Sequence, residues 1–307
     1  MNIKKNNNQE VIIAKKDEGK TIFAYLKKNL PIAFVHKLFR KNGFRLNNLR
    51  IKDEKTILQT GDKIKFFLNL EKKPEPQIPN SAQKFSAQTN YKLNILFENQ
   101  DFAVINKDPG IAMQAWTDVV YEDTLEYKLK NYFQTKNEKI FLVHRLDKDT
   151  SGCLIIAKTE PVQADFEKML REGQIKKEYL TLVKGHFQNK KGAVKIKLPG
   201  RQNNLVSALT FYELDKYFPQ ENLSLIKAKI KTGRKHQIRL HFAKIGHPVV
   251  LDKKYGDFKF NKYFSKKYHL YRQFLHAYHL AFEYKNTQID LKSPLTYDLE
   301  KTLKSLH

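Results

Sequence analysis

One cysteine, Cys153, stands in 307 residues, so an intramolecular disulfide and a cysteine-based zinc site are both excluded. It falls inside an apolar run and reads as a small core residue. Long apolar stretches are missing too. The opening MNIKKNNNQEVIIAKK holds only a short apolar run, too brief for a secretory h-region, and no segment approaches the roughly 20 residues of a membrane span. A soluble, cytoplasmic protein is the expectation. Acidic residues are few, 32 against 57 Lys and Arg, for a formal net charge of +25. A polyanion is therefore the first partner to consider, either a nucleic acid or an anionic membrane surface. Lysine supplies nearly all the excess in a chain also rich in Asn and Ile, a composition that genome drift also produces. Arginine is scarce beside it, which gives weight to Arg145, Arg234 and Arg239. The planar guanidinium fork fits carboxylate and phosphate as lysine does not.

The length leaves room for about two domains. Residues 1–16 form a polar, basic tail in which residues 11–14 could make an edge strand. A compact unit follows over 17–69. Ile22, Phe23, Leu26 and Leu30 suit one amphipathic helix, and Phe34, Val35, Leu38 and Phe39 suit a second after Pro31. Gly43 ends it, and short alternating segments run to Phe66. Residues 70–90 lack periodicity and concentrate Pro, Ser, Gln and Asn, the mark of a linker. From 91 to 307 strands dominate. The first are expected at 93–97 and 102–107, and residues 140–143 and 153–157 are apolar and strand-length. Asp123 is the expected cap of a helix burying Leu125, Leu129, Tyr132 and Phe133. Another helix should begin near Thr159, with Pro161 in its first turn and Val162, Phe166, Met169 and Leu170 buried. Ile226, Ala228 and Ile230 alternate with lysines at a period of two. The fold class is α+β, with a small first domain and a large, mostly antiparallel sheet in the second.

Between the strand-like runs at 140–143 and 153–157 lies His144-Arg145-Leu146-Asp147-Lys148-Asp149-Thr150-Ser151-Gly152. Charges this dense between core strands are costly unless they pair or act on something. A solvated turn is the competing reading of the residues alone. The run resembles the catalytic signature of the RluA-type pseudouridine synthases. Two further stretches match that family, one containing Lys177-Glu178-Tyr179 and the other Gly233-Arg234-Lys235-His236-Gln237-Ile238-Arg239-Leu240-His241. The match runs from about residue 91 to the end.

The resemblance implies a mixed central sheet with a cleft across its middle, Asp147 as the essential catalytic residue, and Tyr179 and Arg239 as its active-site partners. A bidentate contact from Arg239 would keep the Asp147 carboxylate charged and oriented. Tyr179 could stack on the uracil, and its hydroxyl could take or relay a proton. Arg145 could fill the gap left by a flipped base. Arg234 and His236 would contact RNA, while His144 and His241 are structural or RNA-contacting, and Lys148 with Asp149 reads as an ion pair or a phosphate contact. In the family's Asn-Lys-Pro turn this chain has Asn106-Lys107-Asp108-Pro109-Gly110, a shifted proline.

The first unit resembles the S4 RNA-binding module, with His36, Lys37, Arg40, Lys41, Arg45 and Asn47 as RNA contacts. Within the family, the chain looks most like members acting on the large ribosomal subunit. This implies uridines of 23S rRNA, free or in a pre-50S particle, as substrate, with no cofactor or metal, no membrane partner and a monomeric enzyme. A relative acting on other rRNA or tRNA uridines and a non-catalytic RNA-binding assembly factor are the alternatives. Whether Asp147 would act on the sugar or on the base stays open at this point.

Overall fold

The computed structural model describes residues 10–30, 32–40, 42–51, 53–67, 91–115, 119–200 and 204–306. The linker over 70–90 and Lys41 lie outside the described residues, as do the side chains of Lys37 and Arg40. The chain divides into two compact units, residues 1–88 and 89–307.

In the first unit, strands β1 (Glu10–Ile12), β2 (Phe44–Leu46) and β3 (Lys63–Phe66) form an antiparallel sheet in the order β1-β3-β2. Residues 10–12, placed with the tail by composition, form one of its two edge strands. Helices α1 (Ile22–Asn29) and α2 (Ile32–Arg40) accompany it, and Thr21 caps α1 by accepting from Ala24 N at 3.2 Å. The apolar positions read from the sequence do face one core, with Ile22, Leu26, Val35 and Leu38 buried against Phe44, Ile64 and Phe66.

The second unit begins with β4 (Ile95–Glu98), β5 (Phe102–Lys107), α3 (Leu125–Gln134), β6 (Phe141–Leu142), β7 (Ser151–Ala157) and α4 (Glu160–Glu172). It continues with β8 (Lys176–Lys184), β9 (Lys191–Pro199), β10 (Leu205–Phe218), β11 (Leu223–Ile230), α5 (Gln237–Lys244) and α6 (Phe258–Tyr268). Strands β12 (Leu275–Tyr284) and β13 (Thr287–Lys292) and helix α7 (Tyr297–Lys304) close it. Ten strands make one sheet in the order β4-β5-β7-β12-β8-β11-β10-β9, with β13 added beside β12 and β6 beside β7. Its described ladders are antiparallel except β7 with β12, which pairs in parallel at Ser151–His276 and Gly152–Ala277.

Strands β5 and β7 are buried along their whole length, and mostly apolar, because both their faces are covered. Ala103, Ile105, Leu154 and Ile156 enter one core with Leu125, Leu129 and Phe133 of α3. Phe102, Val104, Cys153 and Ile155 enter another with Val162 and Phe166 of α4. The expected strand over 140–143 pairs only at Phe141 and Leu142, opposite Ala157 and Ile156, before the chain turns away. The α3 cap is Thr124, not Asp123: its hydroxyl accepts from Tyr127 N at 3.2 Å, while Asp123 belongs to a short turn just before. Leu125 N is drawn to Ala112 O, so the helix starts one residue later than the acidic cap implied. Thr159 caps α4 with Pro161 in the first turn, as expected, but Met169 and Leu170 are only half-buried.

The parallel contact of β7 with β12 depends on Gly152. Its φ is +113°, and a Cβ there would lie 2.2 Å from Ala277 O. Both the backbone angle and the backbone neighbour resist any side chain. Gly152→Ala should lower stability by about 3 kcal/mol or more, read as a fall in denaturant midpoint. A midpoint within error of the parent would show that the strands can separate here at no cost.

Candidate active site

The loop between β6 and β7 carries His144, Arg145 and Asp147 into a cleft of about 690 Å³. Strand β8 adds Lys177 and Tyr179, the end of β11 and the turn after it add residues 230–236, and α5 adds Arg239. Three sequence motifs separated by up to 92 residues therefore meet at one place. Arg239 Nη1 donates to Asp147 Oδ2 at 2.9 Å. The expected two-pronged grip falls elsewhere. Arg239 Nε and Nη2 donate to Asp252 Oδ2 and Oδ1 at 2.7 and 2.8 Å, leaving a single contact for Asp147.

Asp252 escaped the sequence reading. It is wholly buried, and its Oδ1 also accepts from the backbone N–H groups of Lys254 and Tyr255 at 2.8 and 3.0 Å. Burial works against its charge, yet the Arg239 guanidinium and these N–H groups hold its carboxyl below the usual value. For Arg239, burial is likewise opposed by Asp252 and then Asp147, and the net effect raises its pKa above the ordinary arginine value. The guanidinium is a fixed cation, and Asp147 takes its orientation from it.

Asp147 Oδ1 makes no hydrogen bond among the described residues, and His236 Nε2 stands 3.7 Å from it. His236, in a left-handed conformation at φ +55°, meets Tyr255 Oη through Nδ1 at 3.0 Å. Burial lowers its pKa against the pull of Asp147. Tyr179 is buried, and burial followed by the nearby Asp147 charge raises its phenol above the ordinary value. Tyr179 is thus a neutral phenol at neutral pH, able to stack and to donate a proton rather than to act as a phenolate. Arg145 and Arg234 are exposed on the cleft wall. His144 is a structural residue: its Nε2 accepts from Ile155 N at 3.1 Å, and burial pushes its pKa down to about 3. His241 is fully buried, with neither ring nitrogen hydrogen-bonded among the described residues.

The loop carrying Asp147 is held from below by groups the sequence reading left without a role. Lys107, fully buried at the end of β5, donates to Asp108 O at 2.8 Å and to Lys148 O and Thr150 O at 3.0 Å. Burial pushes its ammonium down to about 7. Arg272 Nη1 donates to Asp149 O at 3.0 Å, and Gln273 Nε2 to Thr150 Oγ1 at 2.8 Å. Lys148 and Asp149, read as an ion pair or phosphate contacts, thus enter through their backbone carbonyls, and no ion pair joins them. A lysine ending a six-residue strand that is otherwise buried was the available signal, because such a lysine must find acceptors.

In the first unit, Asn47 is occupied by its own turn. It donates to Asp62 Oδ1 at 2.7 Å and accepts from Lys63 N at 2.8 Å. Exposed His36 lies 3.8 Å from Glu54, and the Arg45 guanidinium stands 5.1 Å over the Phe67 ring. No group of side chains suited to hold a metal ion occurs among the described residues, and no described helix is long and apolar enough to cross a membrane.

Residues 101–244 match the family described as RNA pseudouridylate synthase. A Haemophilus influenzae protein named ribosomal large subunit pseudouridine synthase C is 32% identical over 96% of this chain and 94% of its own. A Pasteurella multocida protein of the same name is 32% identical over 96% of this chain and 92% of its own. Among solved structures, human RNA pseudouridylate synthase domain containing 4 shares the fold, at a TM-score of 0.58 and 22% identity over 69% of this chain and 92% of that one. The chain belongs to the RNA pseudouridylate synthase family, a family of isomerases.

Asp252→Asn keeps the shape and the acceptor for two backbone N–H groups but removes the charge facing Arg239. It should cost about 3 kcal/mol at neutral pH, the scale for breaking a buried ion pair. Because the folded pKa of Asp252 lies below its ordinary 3.8, its contribution is complete above that value and is lost as pH falls through the lowered one. Denaturant midpoints of parent and variant should therefore differ most near about pH 7 and converge in acid. A constant gap down to the lowest pH would assign the loss to packing instead.

Proposed function

We propose that this chain converts uridines of 23S rRNA, free or in a pre-50S particle, to pseudouridine, with Asp147 as the catalytic carboxylate. The observation carrying this reading is the 2.9 Å contact of Arg239 with Asp147, in a cleft that also presents Tyr179. The large-subunit substrate is supported by relatives named for it that align along nearly the whole chain.

The reaction breaks the uridine N1–C1′ bond, turns the base and joins C5 to C1′. A proton leaves C5 and one is gained at N1, so no atoms or electrons are added. The target base must leave its stack to reach the cleft. Arg145, exposed at the cleft wall two residues before Asp147, is suited to occupy the vacated place. Asp147 Oδ1, without a hydrogen bond among the described residues, is the oxygen available to the sugar–uracil junction, while Oδ2 stays on Arg239. The neutral Tyr179 ring supplies a stacking face, and its hydroxyl a proton carrier near C5 or N1. Arg234 and His236 line the same cleft as contacts for the strand.

We read the first unit as an S4-type RNA-binding module. Its order of two helices and a small sheet supports this, as do exposed His36, half-buried Arg45 and the Lys37, Arg40 and Lys41 run. Binding through many phosphates should be steeply salt-dependent. A footprint of about six to ten would lose roughly 10³–10⁵ in affinity between about 50 and about 200 mM salt.

Asp147→Asn tests the chemistry. It keeps size and one acceptor but removes the carboxylate. Single-turnover pseudouridine yield should drop to background while RNA affinity stays within about three-fold, since phosphate contacts dominate binding. A stable variant isomerising near the parental rate would falsify the role. Maps of pseudouridine in 23S rRNA from cells with and without the protein test the substrate. Identical maps would remove 23S rRNA from the proposal.

A further inference from the structure

Lys177 sits two residues before Tyr179 on β8, so both side chains leave the same face of the strand and line the same cleft. Its ammonium has no hydrogen bond or ion pair among the described residues, unlike Arg239 on Asp147 and Asp252 or Lys107 on three carbonyls. Burial alone pushes it down to about 8, with no carboxylate offsetting that burial. Its charge in turn disfavours protonation of His144. Across the cleft wall, a Cβ built on Gly233 would meet only Lys177 Nζ, at 3.9 Å. With no side chain at Gly233, the space on that side of the ammonium stays open beside the turn that carries Arg234.

A half-buried cation without an anion is a net cost to the folded chain, and an anionic ligand removes that cost. Two strand residues span roughly 7 Å. A base stacked on Tyr179 would not reach the ammonium, whereas the phosphodiester next to that base would. We propose that Lys177 is a phosphate-binding residue that seats the backbone flanking the flipped nucleotide. This rests on the RNA-isomerising reading above and adds to it a subsite distinct from the Asp147–Arg239 pair. Lys177 holds the strand, and Asp147 acts on the nucleoside.

The test is single-turnover pseudouridine formation on an unmodified 23S rRNA transcript, with RNA concentration and salt both varied, for the parent, Lys177→Met, Lys177→Gln and Lys177→Arg. In the Met and Gln variants the half-saturating RNA concentration should rise about tenfold, the scale of one charge-assisted hydrogen bond. The rate at saturation should fall far less. The log–log salt slope should become shallower by about 0.7, one phosphate contact of a single strand. Arg should restore both, and the denaturant midpoints of Met and Gln should hold or rise because an unpaired charge has gone. Unchanged half-saturation and slope would overturn the subsite. A lower saturated rate with an unchanged slope would overturn it by moving the ammonium to the base, and a lowered midpoint would make Lys177 structural. If the parent itself forms no pseudouridine, the functional reading fails first and the subsite falls with it.

Discussion

Arg239 lies between two carboxylates of unequal standing. Asp252, wholly buried, takes two of its donors, and Asp147, at the cleft, takes one. Taking three charges out of water is costly, and the geometry offsets the cost only because Asp252 also receives two backbone N–H groups. The inner pair anchors the guanidinium so that the outer contact has one geometry. A single arginine thereby ties the turn after β8's neighbour Val249 to the loop before β7. The catalytic carboxylate of the proposed reaction is aimed by a residue that never needs to touch substrate.

The same logic governs the loop itself. Successive carbonyl oxygens of Lys148, Asp149 and Thr150 accept from Lys107, Arg272 and Lys107 again. With its oxygens turned toward buried cations, this stretch cannot relax toward solvent without leaving charged donors unsatisfied. Rigidity of this kind is what a site needs if its charges are to act without reorganising during the reaction. The cleft wall, by contrast, carries Arg145 and Arg234 with their long side chains exposed.

Much of this was legible in the sequence, for identifiable reasons. Strand β5 and helix α4 follow from apolar periodicity and a Thr-Pro start, and β5's bounds match residue for residue. Asp147, Tyr179 and Arg239 were readable because each lies in a motif. Asp252 and Lys107 were not, because each depends on partners far along the chain. A buried carboxylate whose acceptors are filled by Arg239 and by Lys254 N leaves no local pattern. The cap of α3 shifted from Asp123 to Thr124 because a long-range bond from Leu125 N to Ala112 O decides where the helix starts. Asn47, taken for an RNA contact, is a turn residue for a similar reason: Asp62 and Lys63, on the far side of the turn, claim its amide.

The parallel pairing of β7 with β12 brings residue 151 beside residue 276, and Arg272 in turn holds Asp298 at the start of α7. The support of the loop carrying Asp147 is thus recruited from residues 107, 239, 252, 272 and 298. Contacts of such sequence separation form late, because loop-closure entropy must be overcome before they yield anything. During synthesis the first unit is complete within the first third of the chain, whereas the cleft has no finished floor until almost the last residue has emerged. An unfinished chain therefore has its first unit but no assembled cleft.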